Sequence, residues 1–290
     1  MHTAPAVDWN ALLVHPEVLR LIDLALDEDV TPGDVTTAAI FRAPQRVRGH
    51  IVSREATVVC GVPLARLLLQ RFDTDAQVEA HLAEGSDAAA GARVLSFDAD
   101  VRAVLGAERT VLNFMMRLSG VAAAARTASG LIPHGARAKI YDTRKTVPGW
   151  RRLDKAAVVA GGGCNHRMGL YDAVLIKDNH VAAAGSVAAA VRAARAHVGE
   201  ALVVEVEVDT LAQLDEALGA GPDVILLDNF SLEAMREAVA RVAGRVILEA
   251  SGGITAQTLP GVASTGVDRI SMGALTHSVR PADLSLEITA

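Results

Sequence analysis

Hydrophobic and polar positions fall into two textures along the chain. After Pro16, which suits the first turn of a helix, Leu19, Ile22 and Ala25 recur at helical spacing up to the acidic stretch Asp27–Asp29. Thr31-Pro32-Gly33-Asp34 is a turn by composition. Val47–Ser53, Thr57–Cys60, Val78–Leu82 and Arg93–Asp100 have strand character. A helix starts at Pro63 and runs through Leu69, and Gly85–Gly91 is a loop. From Ala103 to Ala128, Val104, Val111, Leu112, Met115 and Leu118 share one face of a long helix, weakened at Gly120 and ended by Gly130–Gly135. The first part of the chain therefore reads as mixed α and β.

From residue 136 the texture changes. Short apolar runs recur at Ala138–Tyr141, Ala173–Ile176, Leu202–Val206, Val224–Leu227, Val246–Leu248 and Arg269–Met272. Helical patterns lie between them at Ser186–Ala196, Leu211–Leu218 and Leu232–Val242. Such alternation predicts a parallel sheet, because parallel strands need crossovers. About six strands are fewer than a closed barrel of eight requires, so an incomplete barrel is expected.

Composition narrows the picture. Hydrophobic residues make up 51% but aromatics only 3%, which favours layered α/β structure over an aromatic-rich sandwich. A net charge of −6 argues against a nucleic-acid surface. Cys60 and Cys164 form no CxxC pair, so neither a disulfide framework nor a zinc site is expected and a cytoplasmic location is the default. Met1–Asn10 has no basic stretch leading an apolar run, and no signal peptide is expected. Val181–Val198 is Ala-rich but interrupted by Gly185, Arg192 and Arg195. It reads as one helix outside a membrane, because no segment stays apolar for the ~20 residues a span needs.

The polar residues carry the chemistry. Nearly all follow an apolar run, at the strand ends where parallel α/β folds build their sites. Arg144, Lys145, Arg151, Arg152, Lys155, His166, Arg167 and Lys177 concentrate cations in an acidic chain. They sit among Gly161-Gly162-Gly163 and Asn165 rather than on a helix stripe, which points to an anionic ligand held by charged hydrogen bonds. The alternative is a solvated basic face, in which Arg151, Arg152 and Lys155 have the largest share. Cys164 reads as a small filler. Ser251-Gly252-Gly253 follows a strand and opens a helix-like segment, and Gly273 repeats the arrangement after the next strand. Two such turns in tandem suit phosphate. Glu207 and Asp228 lie at neighbouring strand ends, where two carboxylates can hold Mg²⁺ through water and phosphate oxygens or stabilise a cationic sugar carbon. A salt bridge to Lys145 or Lys177 is the structural alternative. Glu205 alternates with Glu207, should face the other way, and is read as structural.

These segments, Asp142–Gly149 (DTRKTVPG), Gly161–Gly169 (GGGCNHRMG), Ile176–His180 (IKDNH), Glu205–Val208 (EVEV), Leu227–Phe230 (LDNF) and Glu249–Ile254 (EASGGI), resemble the signatures of quinolinate phosphoribosyltransferases. The resemblance keeps order and spacing from Glu28 to His277. It implies an N-terminal α/β sandwich domain over residues 1–115, with the tail 278–290 returning to it, and an incomplete α/β barrel over 116–277. It also implies transfer from phosphoribosyl pyrophosphate to quinolinate with loss of carbon dioxide, giving nicotinate mononucleotide and pyrophosphate with Mg²⁺. On matching positions, Arg144, His166, Arg167 and Lys177 would grip the pyridine carboxylates, and Lys145, a catalytic residue with Glu207 and Asp228, would lie between that pocket and the phosphoribosyl site. Glu207 and Asp228 would lie by ribose and metal, and Asn229, Ser251, Gly252, Gly253, Gly273 and His277 by phosphate. Arg109 resembles an arginine that reaches a neighbouring site across a homodimer. Trp150 and Val147 stand where the family usually has Leu and often Thr. Rival readings are a same-fold ModD-like protein with another acceptor, a phosphate-binding barrel enzyme using Lys177 as base or Schiff-base former, and a non-enzymatic phosphometabolite sensor.

Overall fold

The computed structural model describes residues 7–289; residues 1–6 of the stretch read for a signal peptide lie outside the described residues. The chain begins with α1 (Trp9–Leu13), α2 (Pro16–Val30) and α3 (Val35–Ile40), each started by a side-chain cap from Asp8, His15 or Asp34. There follow β1 (Arg46–Ser53), β2 (Thr57–Val58), α4 (Val62–Phe72), β3 (Gln77–Ala80), β4 (Asp87–Ala88), β5 (Arg93–Asp100) and α5 (Val101–Gly130). The remaining elements are β6 (Lys139–Tyr141), α6 (Arg151–Ala160), β7 (Val174–Ile176), α7 (Asp178–Ala184), α8 (Val187–Val198), β8 (Val204–Val208), α9 (Leu211–Ala220), β9 (Val224–Asp228), α10 (Leu232–Val242), β10 (Ile247–Ser251), α11 (Leu259–Ala263), β11 (Arg269–Ser271), α12 (Ala274–His277) and β12 (Leu284–Thr289).

Two compact units form, and neither is one stretch of sequence. Residues 1–126, 146–162 and 275–290 make the first unit, residues 127–145 and 163–274 the second. The first is built on an antiparallel sheet in the order β12-β1-β5-β3. Strand β12 runs antiparallel to β1 from Arg48–Thr289 to Ser53–Leu284, so the C-terminal tail completes the sheet edge. Helices α4 and α5 supply its core with Leu64, Leu68, Leu69, Val104, Val111, Met115 and Leu118, all buried. The Glu84 carboxylate accepts from the Gly61 and Val62 backbone N–H groups and so caps α4, a start with no side-chain cap of its own.

Gly120 does not weaken α5, which runs unbroken. Its role is packing: a Cβ there would collide with the Arg280 carbonyl oxygen of the returning tail, which also donates Ala282 N–H to Met116 O at 2.9 Å. Gly161 likewise lets α6 press against the Ala122 carbonyl.

Helix α6 corrects the reading of three cations. Arg151, Arg152 and Lys155 lie on a regular helix of the first unit, so their clustering in sequence is helical. Arg152 Nε pairs with Glu17 at 2.7 Å, and Lys155 is 1% exposed. Nearby, Arg117 forms a two-pronged pair with fully buried Asp154 at 3.0 and 2.8 Å and lies over the Trp150 ring, 5.3 Å from its centroid. Trp150 also stacks on Phe114 at 4.7 Å, so the unusual tryptophan has a packed place.

The second unit is a six-stranded parallel sheet in the order β6-β11-β10-β9-β8-β7, with β6 and β7 at its open edges. Its strand β9 is a near-continuous apolar run (Val224–Leu227 are all buried), as expected in a sheet covered on both faces. Val181–Val198 is not one helix. Gly185 takes a left-handed conformation and Ser186 caps a new start by accepting from Ala189 N, giving α7 and α8. Among the described residues no helix is long and apolar enough to cross a membrane.

Candidate active site

Parallel strands bring their C-terminal ends to one edge of the second unit, and the polar residues gather there. Across the sheet the order is Arg144 and Lys145 after β6, Gly273 after β11, Ser251 ending β10, Asp228 ending β9, Glu207 in β8 and Lys177 after β7. The rim thus carries cations at both sides, glycine turns in the middle and two carboxylates on adjacent strands.

The loop holding Cys164 to Gly169 is tied to β6. Cys164 N donates to Ile140 O at 2.8 Å and Asp142 N to Cys164 O at 3.0 Å. The buried Asp142 carboxylate accepts from His166 N at 2.8 Å, and Asp172 accepts from Met168 N and Gly169 N. Arg167 Nη1 donates to Ala173 O at 3.1 Å. Burial lowers the Arg167 pKa, and the neighbouring Arg144 guanidinium lowers it further. Guanidiniums remain protonated at neutral pH. The Glu205 and Asp172 carboxylates act in the opposite direction to burial and Arg144 and favour the charged form of Arg167.

His166 reaches inward. Its Nδ1 accepts from Arg167 N at 2.7 Å, while Nε2 lies 3.0 Å from Glu205 and 3.5 Å from Glu249. Glu205 does face away from Glu207, as the strand alternation requires, but into this buried cluster. Burial first, then the Glu205 charge, raises Glu249 to about 7. Sequence reasoning gave Glu249 no role. The available signal was an acid inside each of two apolar strands, Val204-Glu205-Val206 and Leu248-Glu249-Ala250, where burial demands a partner.

On the other strands, Lys177 Nζ pairs with Glu207 at 2.7 Å, one of the two bridges considered from sequence. Asp228 accepts from the Asn229 side-chain amide at 2.8 Å, and Asn229 N donates to Ser251 O at 3.0 Å. Asn229 sits at φ 55, and Gly252 and Gly253 also have positive φ. A Cβ on Gly252 would overlap the Asn229 amide, so β9 and β10 end in interlocked turns open only to glycine at that point. The Ser251 turn does not open a helix directly. Helix α11 begins only at Leu259, and α12 after Gly273 has four residues. Any phosphate cradle here consists of turn N–H groups rather than a helix dipole. Arg109 lies exposed on α5 and His277 ends α12 with Nδ1 2.7 Å from Ser278 Oγ; both belong to the first unit.

Comparison with known proteins agrees with this layout. The family model described as quinolinate phosphoribosyl transferase, C-terminal domain, matches residues 121–287, and the corresponding N-terminal domain model matches residues 34–119. A nicotinate-nucleotide pyrophosphorylase [carboxylating] of Mycobacterium leprae is 46% identical over 270 residues, covering 91% of this chain and 94% of that protein. A probable nicotinate-nucleotide pyrophosphorylase [carboxylating] of Bacillus subtilis is 40% identical over 275 residues, covering 95% and 94%. The solved nicotinate-nucleotide pyrophosphorylase of Francisella tularensis is 39% identical with a TM-score of 0.88, covering 94% of this chain and 96% of that one. Both halves of the sequence, the unclosed six-stranded parallel sheet and the placement of the polar rim lead to one conclusion: the chain belongs to the quinolinate phosphoribosyltransferase family.

Proposed function

We propose that the chain transfers the phosphoribosyl group of phosphoribosyl pyrophosphate to quinolinate and releases carbon dioxide, giving nicotinate mononucleotide and pyrophosphate for NAD biosynthesis. The observation that carries this reading is the strand-end rim of the parallel sheet, where Arg144, Lys145 and Lys177 stand with Glu207 and Asp228 on adjacent strands. A dicarboxylate acceptor matches the excess of cations on this rim.

In this reading Arg144, Arg167 and Lys177 supply the charge that binds the acceptor, with His166 in the same loop and Lys145 beside them. The pyridine nitrogen forms a bond to the ribose anomeric carbon as the bond to pyrophosphate breaks. Glu207 and Asp228 stabilise the positive charge that develops on the sugar. The nitrogen is then cationic, and its ring accepts the electron pair of the adjacent C–C bond as that carboxylate leaves as carbon dioxide. A proton from solvent closes the ring carbon. Cations must hold the retained carboxylate, because tight binding of the departing one would stabilise the ground state.

Asn229, Ser251, Gly252, Gly253 and Gly273 supply turn N–H and side-chain groups for phosphate. Glu207 and Asp228 also fit Mg²⁺. Lys177 takes one oxygen of Glu207 and Asn229 one of Asp228, an oxygen-donor pair too small to enclose an ion, and one suited to Mg²⁺ that keeps water and phosphate ligands. When bound, the ion draws charge off the pyrophosphate. Arg109, exposed on α5, is assigned to the neighbouring site of a homodimer, and the assembly is read as cytoplasmic.

Incubation with quinolinate, phosphoribosyl pyrophosphate and Mg²⁺ should yield nicotinate mononucleotide and carbon dioxide. Replacing quinolinate by nicotinate should abolish product; equal turnover would show that the second carboxylate is not read.

A further inference from the structure

Glu205 and Glu249 lie inside the fold, 2% and 0% exposed, in strands that are otherwise apolar. Each buried ion costs several kcal/mol before pairing, so two carboxylates side by side call for a reason. Neither reaches the rim where Glu207 and Asp228 stand. Both oxygens of Glu249 and one of Glu205 lack a hydrogen-bond partner within the fold. The group they share is His166, whose Nε2 lies 3.0 Å from Glu205.

Hydrogen-bond polarity fixes the state of that ring. Nδ1 accepts the Arg167 backbone N–H and therefore carries a lone pair, leaving Nε2 as the N–H that donates to Glu205. Both ring nitrogens are thus engaged within the protein. The pinned backbone N–H belongs to Arg167, whose half-buried guanidinium feels the charge of Arg144. Strands β8 and β10 consequently hold the cationic loop from below while Asp142 holds it from β6.

We propose that Glu205 and Glu249 are positioning residues for the acceptor pocket. They lock His166 as the Nε2–H tautomer, and His166 in turn sets the backbone of Arg167 so that its guanidinium meets an acceptor carboxylate in one orientation. The inference rests on the quinolinate reading and deepens it: His166 is a post behind the pocket, and Arg144, Arg167 and Lys177 make the contacts. Burial and the neighbouring Glu205 raise Glu249 to about 7, while His166, Ser271 and Arg269 oppose that rise. Glu205 and Asp172 favour the charged form of Arg167, which burial and Arg144 oppose.

The test uses the full chain with ¹⁵N-labelled histidine. In the wild type the His166 ring should show a protonated Nε2 and an unprotonated Nδ1; an imidazolium or the opposite tautomer overturns the proposal even if no variant folds. Glu205→Ala should raise the quinolinate KM about tenfold or more, the usual scale for losing an orienting partner. Its affinity for phosphoribosyl pyrophosphate should stay within about twofold, and Glu205→Gln, which keeps an acceptor oxygen, should recover most of the quinolinate affinity. Glu249→Ala should raise the quinolinate KM in the same direction. An unchanged quinolinate KM in Glu205→Ala sinks the idea. So does one equivalent of tightly bound zinc that the variant loses, since the three side chains bring ligand atoms within 4.8 Å of one another. A wild type that makes no product from quinolinate refutes the reaction instead, while the ring signals still report the tautomer.

Discussion

Arg144 and Glu207 stand for the two halves of the rim, and their truncations should separate binding from turnover. Arg144→Ala removes charged hydrogen bonds worth about 1.5–3 kcal/mol each, so quinolinate affinity by calorimetry should fall roughly 10- to 150-fold. Unchanged affinity would take Arg144 out of the pocket. Glu207→Ala should lower kcat far more than it raises either KM, because the charge it stabilises exists only in the transition state. It also frees Lys177, whose ammonium now pairs with it at 2.7 Å. The Glu249 carboxyl adds a pH signature. Its native pKa of about 7 lies above the ordinary 4.5, so the folded state holds a proton that the unfolded chain releases. Stability tied to this group is therefore full below pH 4.5 and declines as pH rises through 7. Glu249→Gln should flatten that decline, gaining on the order of 3 kcal/mol relative to the wild type at pH 8. Thermal melts at pH 5 and pH 8 compare the two directly, and parallel curves would deny the shift. At this scale the sequence exposes exposed-rim chemistry well, since acids, cations and glycines at strand ends have few structural uses. It exposes Glu205 and Glu249 poorly, because a buried carboxylate is explained by a partner distant in sequence.

Among the elements, α5 and α6 show how packing overrides local preference. Alanine is a better helix former than glycine by about 1 kcal/mol, yet Gly120→Ala should destabilise, because the new methyl meets a backbone carbonyl that cannot step aside. A melting temperature lower by several degrees is expected; a rise would mean that the tail yields. The long α5 and the six parallel strands were legible because their apolar spacing is sustained. Helix α6 was not, since Arg151, Arg152 and Lys155 read as a charge cluster until Glu17 pairs with Arg152 and Arg117 with Asp154 of the same helix, both from elsewhere in the chain. The break at Gly185 was visible in the sequence, but its consequence depends on Ser186 capping a second helix.

For the whole molecule, the unit containing both termini depends on its last strand. Ending the chain after Asp283 would remove β12 and leave β1 as an open edge, with Leu284, which is buried, gone from the core. Such a truncation should melt at lower temperature and self-associate in light scattering, the ordinary fate of an uncovered edge strand. A truncated chain as stable and monodisperse as the full one would show that β12 is an ornament. The chain passes from one unit to the other after residues 126, 145, 162 and 274. Gene rearrangement can transplant a module only where a single cut frees it. With four crossings, one of them immediately after Lys145 and another just before the Cys164 loop, neither unit can be inherited, duplicated or fused alone. The two units must therefore descend as one piece.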